Sequence, residues 1–185
     1  KLVSGEIVGT LAVTEDFKAP SRDNILVSCD NGLINGKKIA VPDAKIATHV
    51  IVVAKTNSGI SLRLVDTSSS GVTIKHQKNI DESRGHFQID FDNVEGSLIG
   101  DEISGWEQYE SIINQAAVLF SYEQIGGAQA SLDMAIGYAK ERYAFGRPIG
   151  SFQAIKHKLA DMYVSLTLAK SNCYYAAWAL STNSS

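Results

Sequence analysis

Residues 139–162, which read AKERYAFGRPIGSFQAIKHKLADM, constrain the fold of this chain more than any other stretch. The segment opens as the end of a helical pattern, and Gly146, Pro148 and Gly150 then interrupt that pattern. Glycine and proline at this spacing end a helix and turn the chain. Ser151 is of a residue type that caps the start of a following helix. The stretch therefore predicts two antiparallel helices joined by a short turn.

Two cations and an aromatic ring fall at the predicted tip of this hairpin: Arg142, Phe145 and Arg147. A guanidinium group pairs two phosphate oxygens at once, and an aromatic face stacks on a flat ring or a cation. The pattern therefore indicates a ligand that combines a phosphate with a planar ring. A surface hairpin with ordinary helix caps is the alternative reading of the same residues.

The chain before residue 100 alternates short β-branched and aromatic runs with turn residues. Many short strands with frequent turns are typical of an antiparallel β-barrel or β-sandwich. Asn35-Gly36 predicts a two-residue hairpin turn, because both residues accept positive φ. The alternation over residues 86–91 predicts that Phe87, Ile89 and Phe91 are buried. Eight strands are predicted, over residues 7–14, 25–29, 33–34, 37–41, 50–55, 60–65, 72–75 and 86–91.

The chain after residue 100 is predicted to form two helices, over residues 102–144 and 151–182. In the second helix, apolar residues recur at alternating steps of three and four from Ile155 to Leu180, which indicates a packing seam. The glycines around Gly126 in the first helix favour close packing against a neighbour. Two such helices leave apolar surface uncovered, so partner helices are expected from elsewhere. The fold class predicted is therefore α+β.

Composition excludes several classes of function. The net charge of −3 provides no basic surface for nucleic acid. No apolar run approaches the roughly 18 residues of a membrane span. Cys29 and Cys173 form no disulfide framework, which favours a reducing compartment, and no paired cysteines or histidines indicate a metal site. The absence of an initiator Met and the unbroken helical pattern before the last residues make both ends look like cuts in a longer protein.

The stretch ERYAFGRPIGSFQAIKHKLADM resembles the helix-turn-helix signature of the acyl-CoA dehydrogenase family, E-R-x-x-F-G-x-x-I-x-x-F-Q-x-x-x-x-x-L-A-D-M. The resemblance implies a β-barrel middle domain over residues 1–100. It implies that residues 101–185 are the first two helices of a four-helix-bundle C-terminal domain. It further implies an FAD cofactor, an acyl-CoA substrate and other subunits bound through the helical domain as a dimer or tetramer.

The resemblance also assigns candidate cofactor-binding residues. The family positions that bind the adenine-diphosphate half of FAD from a neighbouring subunit are occupied by Arg142, Phe145, Phe152 and Gln153. The segment LAVTE resembles the family's A-x-T-E segment, which lies against the flavin ring. The residues implied there are Val13 and Thr14.

Three departures from the family pattern accompany these matches. The Gly-Ser-Asp element that usually follows A-x-T-E is absent after Glu15. The family's second flavin-contacting segment has Trp where this chain has Ala40, and Thr or Ser where it has Pro42. Alanine cannot cover a flavin face, and proline has neither a hydroxyl group nor an N–H. The sequence therefore predicts weaker or differently built flavin contacts.

The catalytic base is not identified by the sequence. In most family members it is a Glu that lies downstream, beyond the position of Ser185. In some branches it lies on the helix that precedes the signature, where Glu123 is the one mid-helix candidate. A mid-helix Glu is more often solvated or ion-paired. Ala117 stands where the family often has an Arg that contacts CoA.

Three functional hypotheses follow. The first is part of an FAD-dependent acyl-CoA dehydrogenase, which removes hydrogen from the α and β carbons of an acyl-CoA thioester and transfers hydride to FAD. The present stretch is expected to be inactive by itself. The second is a non-catalytic, flavin-poor partner subunit of a heteromeric dehydrogenase, and the third is an interaction domain without cofactor. The resemblance implies a bacterial cytoplasm or a mitochondrial matrix as the location.

Overall fold

The computed structural model describes residues 1–81 and 83–182. They divide between a first compact unit, Lys1–Glu110, and a second that begins at Ser111. The predicted division into domains 1–100 and 101–185 stays a prediction. Within the described residues there are ten strands and two α-helices: β1 (Gly9–Ala12), β2 (Ser28–Asp30), β3 (Leu33–Pro42), β4 (His49–Lys55), β5 (Ile60–Asp66), β6 (Val72–Gln77), β7 (His86–Glu95), β8 (Ser97–Ile99), α1 (Gly105–Glu141), β9 (Tyr143–Ala144), β10 (Arg147–Pro148) and α2 (Gln153–Thr182).

The first unit is built on one sheet in the order β6-β7-β3-β2-β4-β5-β8, with β1 beside β4. Most neighbours are antiparallel, and the α+β fold class is confirmed. Antiparallel pairs form most of the sheet, as predicted, while β1 and β2 each pair with β4 in parallel. Parallel neighbours require a long connection, and the chain between β1 and β4 supplies one.

The hairpin turn predicted at Asn35-Gly36 is wrong. The chain reverses instead at Asn31-Gly32, which joins β2 to β3 with φ values of 51° and 84°. Both values are positive, as a two-residue turn between antiparallel strands requires. Asn35-Gly36 lies inside β3, where the register with β7 shifts between Ile34 and Gly36. The second Asn-Gly pair therefore forms a bulge in a continuous strand.

The alternation predicted over residues 86–91 is confirmed, since Phe87, Ile89 and Phe91 are all buried. They belong to the larger of two hydrophobic clusters, which also draws on β1 to β5. The smaller cluster includes Ile25, Leu62 and Trp106. Trp106 lies in the first turn of α1, so the start of this helix is part of the core of the first unit.

The first helix is shorter than predicted at both ends, and the second starts two residues later than predicted. The first starts at Gly105, because Asp101 accepts hydrogen bonds from the backbone N–H groups of Ile103 and Ser104 and forms a turn before it. Its last residue is Glu141, where the chain enters β9. The second starts at Gln153. The prediction that Ser151 caps this helix is wrong, because its hydroxyl donates to the carbonyl oxygen of Pro148 at 2.7 Å.

The helices run antiparallel within the second unit. The Tyr122 and Tyr174 rings meet edge-on with centroids 5.8 Å apart. A groove lined mainly by small and apolar side chains lies between residues 128–135 of α1 and residues 161–169 of α2. Within the described residues, no atom approaches the Cβ position of Gly126, so the close packing predicted there is not made inside this chain. Large apolar side chains on both helices remain exposed, among them Phe120, Met134, Leu168 and Trp178.

Candidate functional site

The tip of the helical hairpin is a miniature β-hairpin. In it β9 pairs with β10, with Ala144 opposite Arg147. The two turn residues, Phe145 and Gly146, have φ values of 53° and 80°. The backbone N–H of Ile149 also donates to the carbonyl oxygen of Arg142 at 2.8 Å. The sequence predicted a turn here but not these two strands, although a glycine at the second turn position was the signal for them.

An aromatic and cationic cluster forms on this tip. The rings of Phe145 and Phe152 meet edge-on, with centroids 6.2 Å apart. The guanidinium carbon of Arg147 lies 4.2 Å from the centre of the Phe152 ring. Phe145 is 96% exposed, although positive φ is strained for a bulky residue. The turn therefore presents one aromatic ring outward and holds the second beneath a cation.

The remaining residues predicted for the tip are free to bind. Arg142 and Gln153 are both exposed. Within residues 1–81 and 83–182, neither side chain makes a hydrogen bond or an ion pair. Arg142 follows the last residue of α1, and Gln153 is the first residue of α2. The structure thus brings Arg142, Phe145, Phe152 and Gln153 to one end of the hairpin, while their roles in cofactor binding stay predictions.

The other predicted contact, Val13 and Thr14, follows the end of β1 in the first unit. The carbonyl oxygen of Thr14 accepts a hydrogen bond from the N–H of Ile39 at 2.8 Å. The Thr14 side chain is partly exposed, and its hydroxyl group has no hydrogen-bond partner in the described part of the chain. The segment therefore offers one free hydroxyl at a fixed strand end.

A buried ion pair beside this strand end was not predicted. The Nζ of Lys38 lies 2.6 Å from Oε1 of Glu15, and the Lys38 side chain is fully buried. Burial lowers the pKa of Lys38 to about 8, while Glu15 opposes that shift. Alternation along β3 could not reveal it, because the register of this strand shifts on both sides of Lys38, so that Ile34, Lys38 and Val41 are all buried.

The positions that depart from the family pattern are also well defined. Ala40 is exposed and has a φ of 52°, and its N–H donates to Oε1 of Gln77 at 2.7 Å. Pro42 ends β3, and its carbonyl oxygen accepts a hydrogen bond from Oγ1 of Thr10 at 2.6 Å. An aromatic side chain at position 40 would have to adopt this positive φ, which strains bulky residues.

Within the described residues, the structure forms no site around the candidate base Glu123 and no cluster of metal-binding side chains. Glu123 is exposed on α1 and makes no hydrogen bond or ion pair with any described residue, so its assignment stays a prediction. Among the residues the structure describes, no three His, Cys, Asp or Glu side chains converge to hold a metal ion. In the same residues, neither helix has the length and apolar character needed to cross a bilayer. Both cysteines, Cys29 and Cys173, are free.

Comparison with known proteins gives a consistent result. The sequence profile described as acyl-CoA dehydrogenase, C-terminal domain, matches residues 104–184. Probable acyl-CoA dehydrogenase YngJ of Bacillus subtilis (strain 168) is 33% identical over 192 residues, covering 96% of this chain and 50% of the relative. The chain therefore spans about half the length of the relatives it matches.

Solved structures agree with the sequence comparison. The structure of the glutaryl-coenzyme A dehydrogenase glutaryl-CoA complex has a TM-score of 0.91 at 27% identity and covers 97% of this chain and 49% of the other. The structure of PigA with FAD and proline has a TM-score of 0.92 at 27% identity and covers 100% of this chain and 52% of the other.

A sheet unit that continues into a helical hairpin is the architecture of the middle and C-terminal domains of acyl-CoA dehydrogenases. The class of protein is thereby set. The chain belongs to the acyl-CoA dehydrogenase family.

Proposed function

We propose that this chain is part of a flavin-dependent acyl-CoA dehydrogenase that removes hydrogen from the α and β carbons of an acyl-CoA thioester. FAD, when bound, supplies the acceptor for the hydride that leaves the β carbon. The chain's own residues bind FAD at two places: the strand end at Thr14 holds the flavin ring, and the hairpin tip holds the FAD of a neighbouring subunit. The observation that carries the proposal is the free guanidinium group of Arg142 on an exposed aromatic tip.

The chemistry of the tip fits the adenine-diphosphate half of FAD. Arg142 has no competing carboxylate in the described residues, so its donors are available for two phosphate oxygens. Gly146 leaves open space beside the turn. The exposed Phe145 ring provides a face for a flat base. These groups are exposed at the end of the hairpin, and the resemblance assigns them to the FAD of a neighbouring subunit. The exposed apolar side chains of α1 and α2 provide surface for such a partner.

The strand end fits the flavin ring. Val13 and Thr14 lie just past the last ladder residue of β1, where backbone and hydroxyl groups can bond the polar edge of a planar ligand. The unpaired hydroxyl group of Thr14 is the donor or acceptor that such an edge requires.

One observation favours a second candidate, a flavin-poor partner subunit in a heteromeric dehydrogenase. At position 40, where the family has Trp, the backbone of this chain adopts a φ of 52°. A Trp would be strained in that conformation. With alanine there, this chain provides no aromatic side chain to cover a flavin at position 40. In this candidate Arg142 and Gln153 serve FAD carried mainly by the partner subunit.

The deciding experiment uses the full-length protein of which this chain is part. We expect it to be purified with bound FAD, and the visible flavin absorbance to bleach when an acyl-CoA is added without oxygen. Free CoA serves as the control and is expected to leave the absorbance unchanged. A protein that carries no flavin and takes up none from excess FAD would contradict the proposal. If such a protein raises FAD retention by a co-purified subunit, the second candidate is correct.

A further inference from the structure

The Glu15–Lys38 pair is the most deeply buried ion pair among the described residues. Lys38 has a fully buried side chain, and that of Glu15 is 9% exposed. Removing two charges from water is costly, and such a pair is often no more stabilising than apolar residues of the same size. A net gain in stability therefore does not explain why this chain contains the buried pair. The contacts of the pair indicate what else it does.

Both partners bond backbone groups of segments outside the regular ladder. The Nζ of Lys38 donates to the carbonyl oxygen of Val13 at 3.0 Å. The carboxylate of Glu15 accepts from the N–H of Leu26 at 2.7 Å and from the N–H of Val27 at 3.1 Å. Those two residues lie between β1 and β2. The pair thus fixes the backbone on both sides of Thr14 through charge-assisted hydrogen bonds, which are stronger than neutral ones.

Lys38 also lies next to Ala40 and Pro42, the two positions of β3 that depart from the family pattern. Its neighbour Ile39 donates to the carbonyl oxygen of Thr14 at 2.8 Å. The register of β3 against β7 shifts between Lys38 and Val41, and Ala40 takes its positive φ within that shift. One buried ammonium group therefore connects the strand end at Thr14 with the irregular part of β3.

We propose that Glu15 and Lys38 are positioning residues for the flavin ring: they hold the strand end so that the free hydroxyl group of Thr14 faces the ring's polar edge. The inference rests on the proposed function. It assigns no chemical step to either residue, because both lie beneath the strand end and are buried. Removing either one leaves its partner as a buried charge without a counterion and loosens the Thr14 backbone.

The test uses the full-length, FAD-loaded protein with Glu15→Gln and Lys38→Met. Each variant is expected to lower FAD affinity by roughly tenfold, because the strand end at Thr14 is no longer held in place for the ring. Each is also expected to alter the visible absorbance and circular dichroism of the bound flavin. Those two spectra report the surroundings of the ring, and a loss of stability alone does not move them.

Three further variants make the result specific. Thr14→Val leaves the ion pair intact and removes the hydroxyl group alone, so it should reproduce the spectral change with an unchanged melting temperature. Lys75→Met breaks the exposed pair of Lys75 with Asp90 on the same sheet and should change neither the spectrum nor the affinity. Arg142→Ala should lower affinity while leaving the ring spectrum as in the wild type, because its proposed partner is the diphosphate.

The outcomes separate this inference from the function on which it rests. If the wild type binds FAD and the Glu15 and Lys38 variants keep its flavin spectrum, the positioning role is wrong, whatever Thr14→Val does, and the proposed function stands. If the single variants fail to fold, the double variant Glu15→Gln/Lys38→Met, which leaves no unpaired buried charge, takes their place, and a wild-type flavin spectrum in it would overturn the positioning role. If the wild-type protein binds no FAD at all, both proposals are wrong.

Discussion

The guanidinium carbon of Arg147 lies 4.2 Å from the centre of the Phe152 ring, across the miniature hairpin that joins the two helices. Phe145 meets the same ring edge-on at 6.2 Å. A cation above an aromatic face contributes about 0.5–1 kcal/mol at exposed sites, and an aromatic pair about 0.5–1.5 kcal/mol. The tip is therefore held by side chains that are themselves largely in contact with solvent.

Replacement of Phe152 should weaken the hairpin. We expect Phe152→Leu to lower the free energy of unfolding by about 1–2 kcal/mol, because both ring contacts are lost while apolar volume is kept. Arg147→Met removes only the cation and should lower it by about 0.5–1 kcal/mol. Urea denaturation followed by circular dichroism at the helical band measures both. Equal losses in the two variants would show that the aromatic pair contributes nothing.

Replacement of Arg142 should affect cofactor retention without affecting folding. In the full-length assembly, Arg142→Ala is expected to weaken FAD binding at least about tenfold, since a charge-assisted hydrogen bond contributes roughly 1.5–3 kcal/mol. An exposed arginine without partners changes stability by no more than about 0.5 kcal/mol. The control is Lys170→Ala, which removes an exposed cation on α2 away from the tip, and it should retain FAD as the wild type does. Tight FAD binding by Arg142→Ala, or unfolding of its apoprotein, would refute the assigned role.

Two glycines in α1 should respond to alanine in opposite ways. A Cβ at Gly105 would lie 2.6 Å from the Cα of Ser61 and 2.7 Å from the carbonyl oxygen of Ile60, both backbone atoms of β5. Gly105→Ala should therefore lower the free energy of unfolding by about 1–3 kcal/mol through overpacking. At Gly126, apart from its chain neighbours and the backbone of its own helix, no atom of the described residues lies within 4 Å of the position that a Cβ would take. Gly126→Ala should raise stability by up to about 1 kcal/mol, because alanine is the better helix former. Denaturant midpoints of the two variants, compared with the wild type, provide the measurement, and a destabilised Gly126→Ala would contradict it.

The buried ammonium group should make stability depend on pH in the alkaline range. Burial lowers the pKa of Lys38 from its ordinary 10.5 to about 8 in the folded chain. Between these values the unfolded chain binds more protons than the folded chain, so the free energy of unfolding rises with pH, by at most about 1.4 kcal/mol for each pH unit. This contribution is lost as the pH falls from the ordinary pKa toward the lowered one.

The double variant Glu15→Gln/Lys38→Met isolates that contribution. It removes both charges of the pair and leaves the other alkaline titrations in place. The difference in unfolding free energy between wild type and variant should therefore shift in favour of the wild type from about pH 8 to about pH 10. Urea denaturation at several values in this range gives the difference. A difference that is constant with pH would mean that Lys38 keeps its ordinary pKa in the folded chain.

The sequence pattern by itself predicted the elements that depend on residues close together in the chain. The alternation from His86 to Phe91 identified a strand and its buried face, because successive side chains of a strand point to opposite sides. The helical periodicity on either side of Gly146 and Pro148 identified two helices and the turn between them. The family signature in that turn named the residues that meet at the tip, because they are close in the chain and the turn between them is short.

Only the tertiary structure decided the features that join distant segments. Asn31-Gly32 and Asn35-Gly36 carry the same local turn signal, and the pairing of β3 with β2 and β7 determines which one reverses the chain. The parallel register of β1 beside β4 is likewise set by sheet contacts rather than by either strand alone. Glu15 and Lys38 are separated by 23 residues and meet because the sheet brings the end of β1 beside β3. Propensity and periodicity describe each segment by itself, whereas the choice among long-range pairings depends on the burial that each pairing achieves.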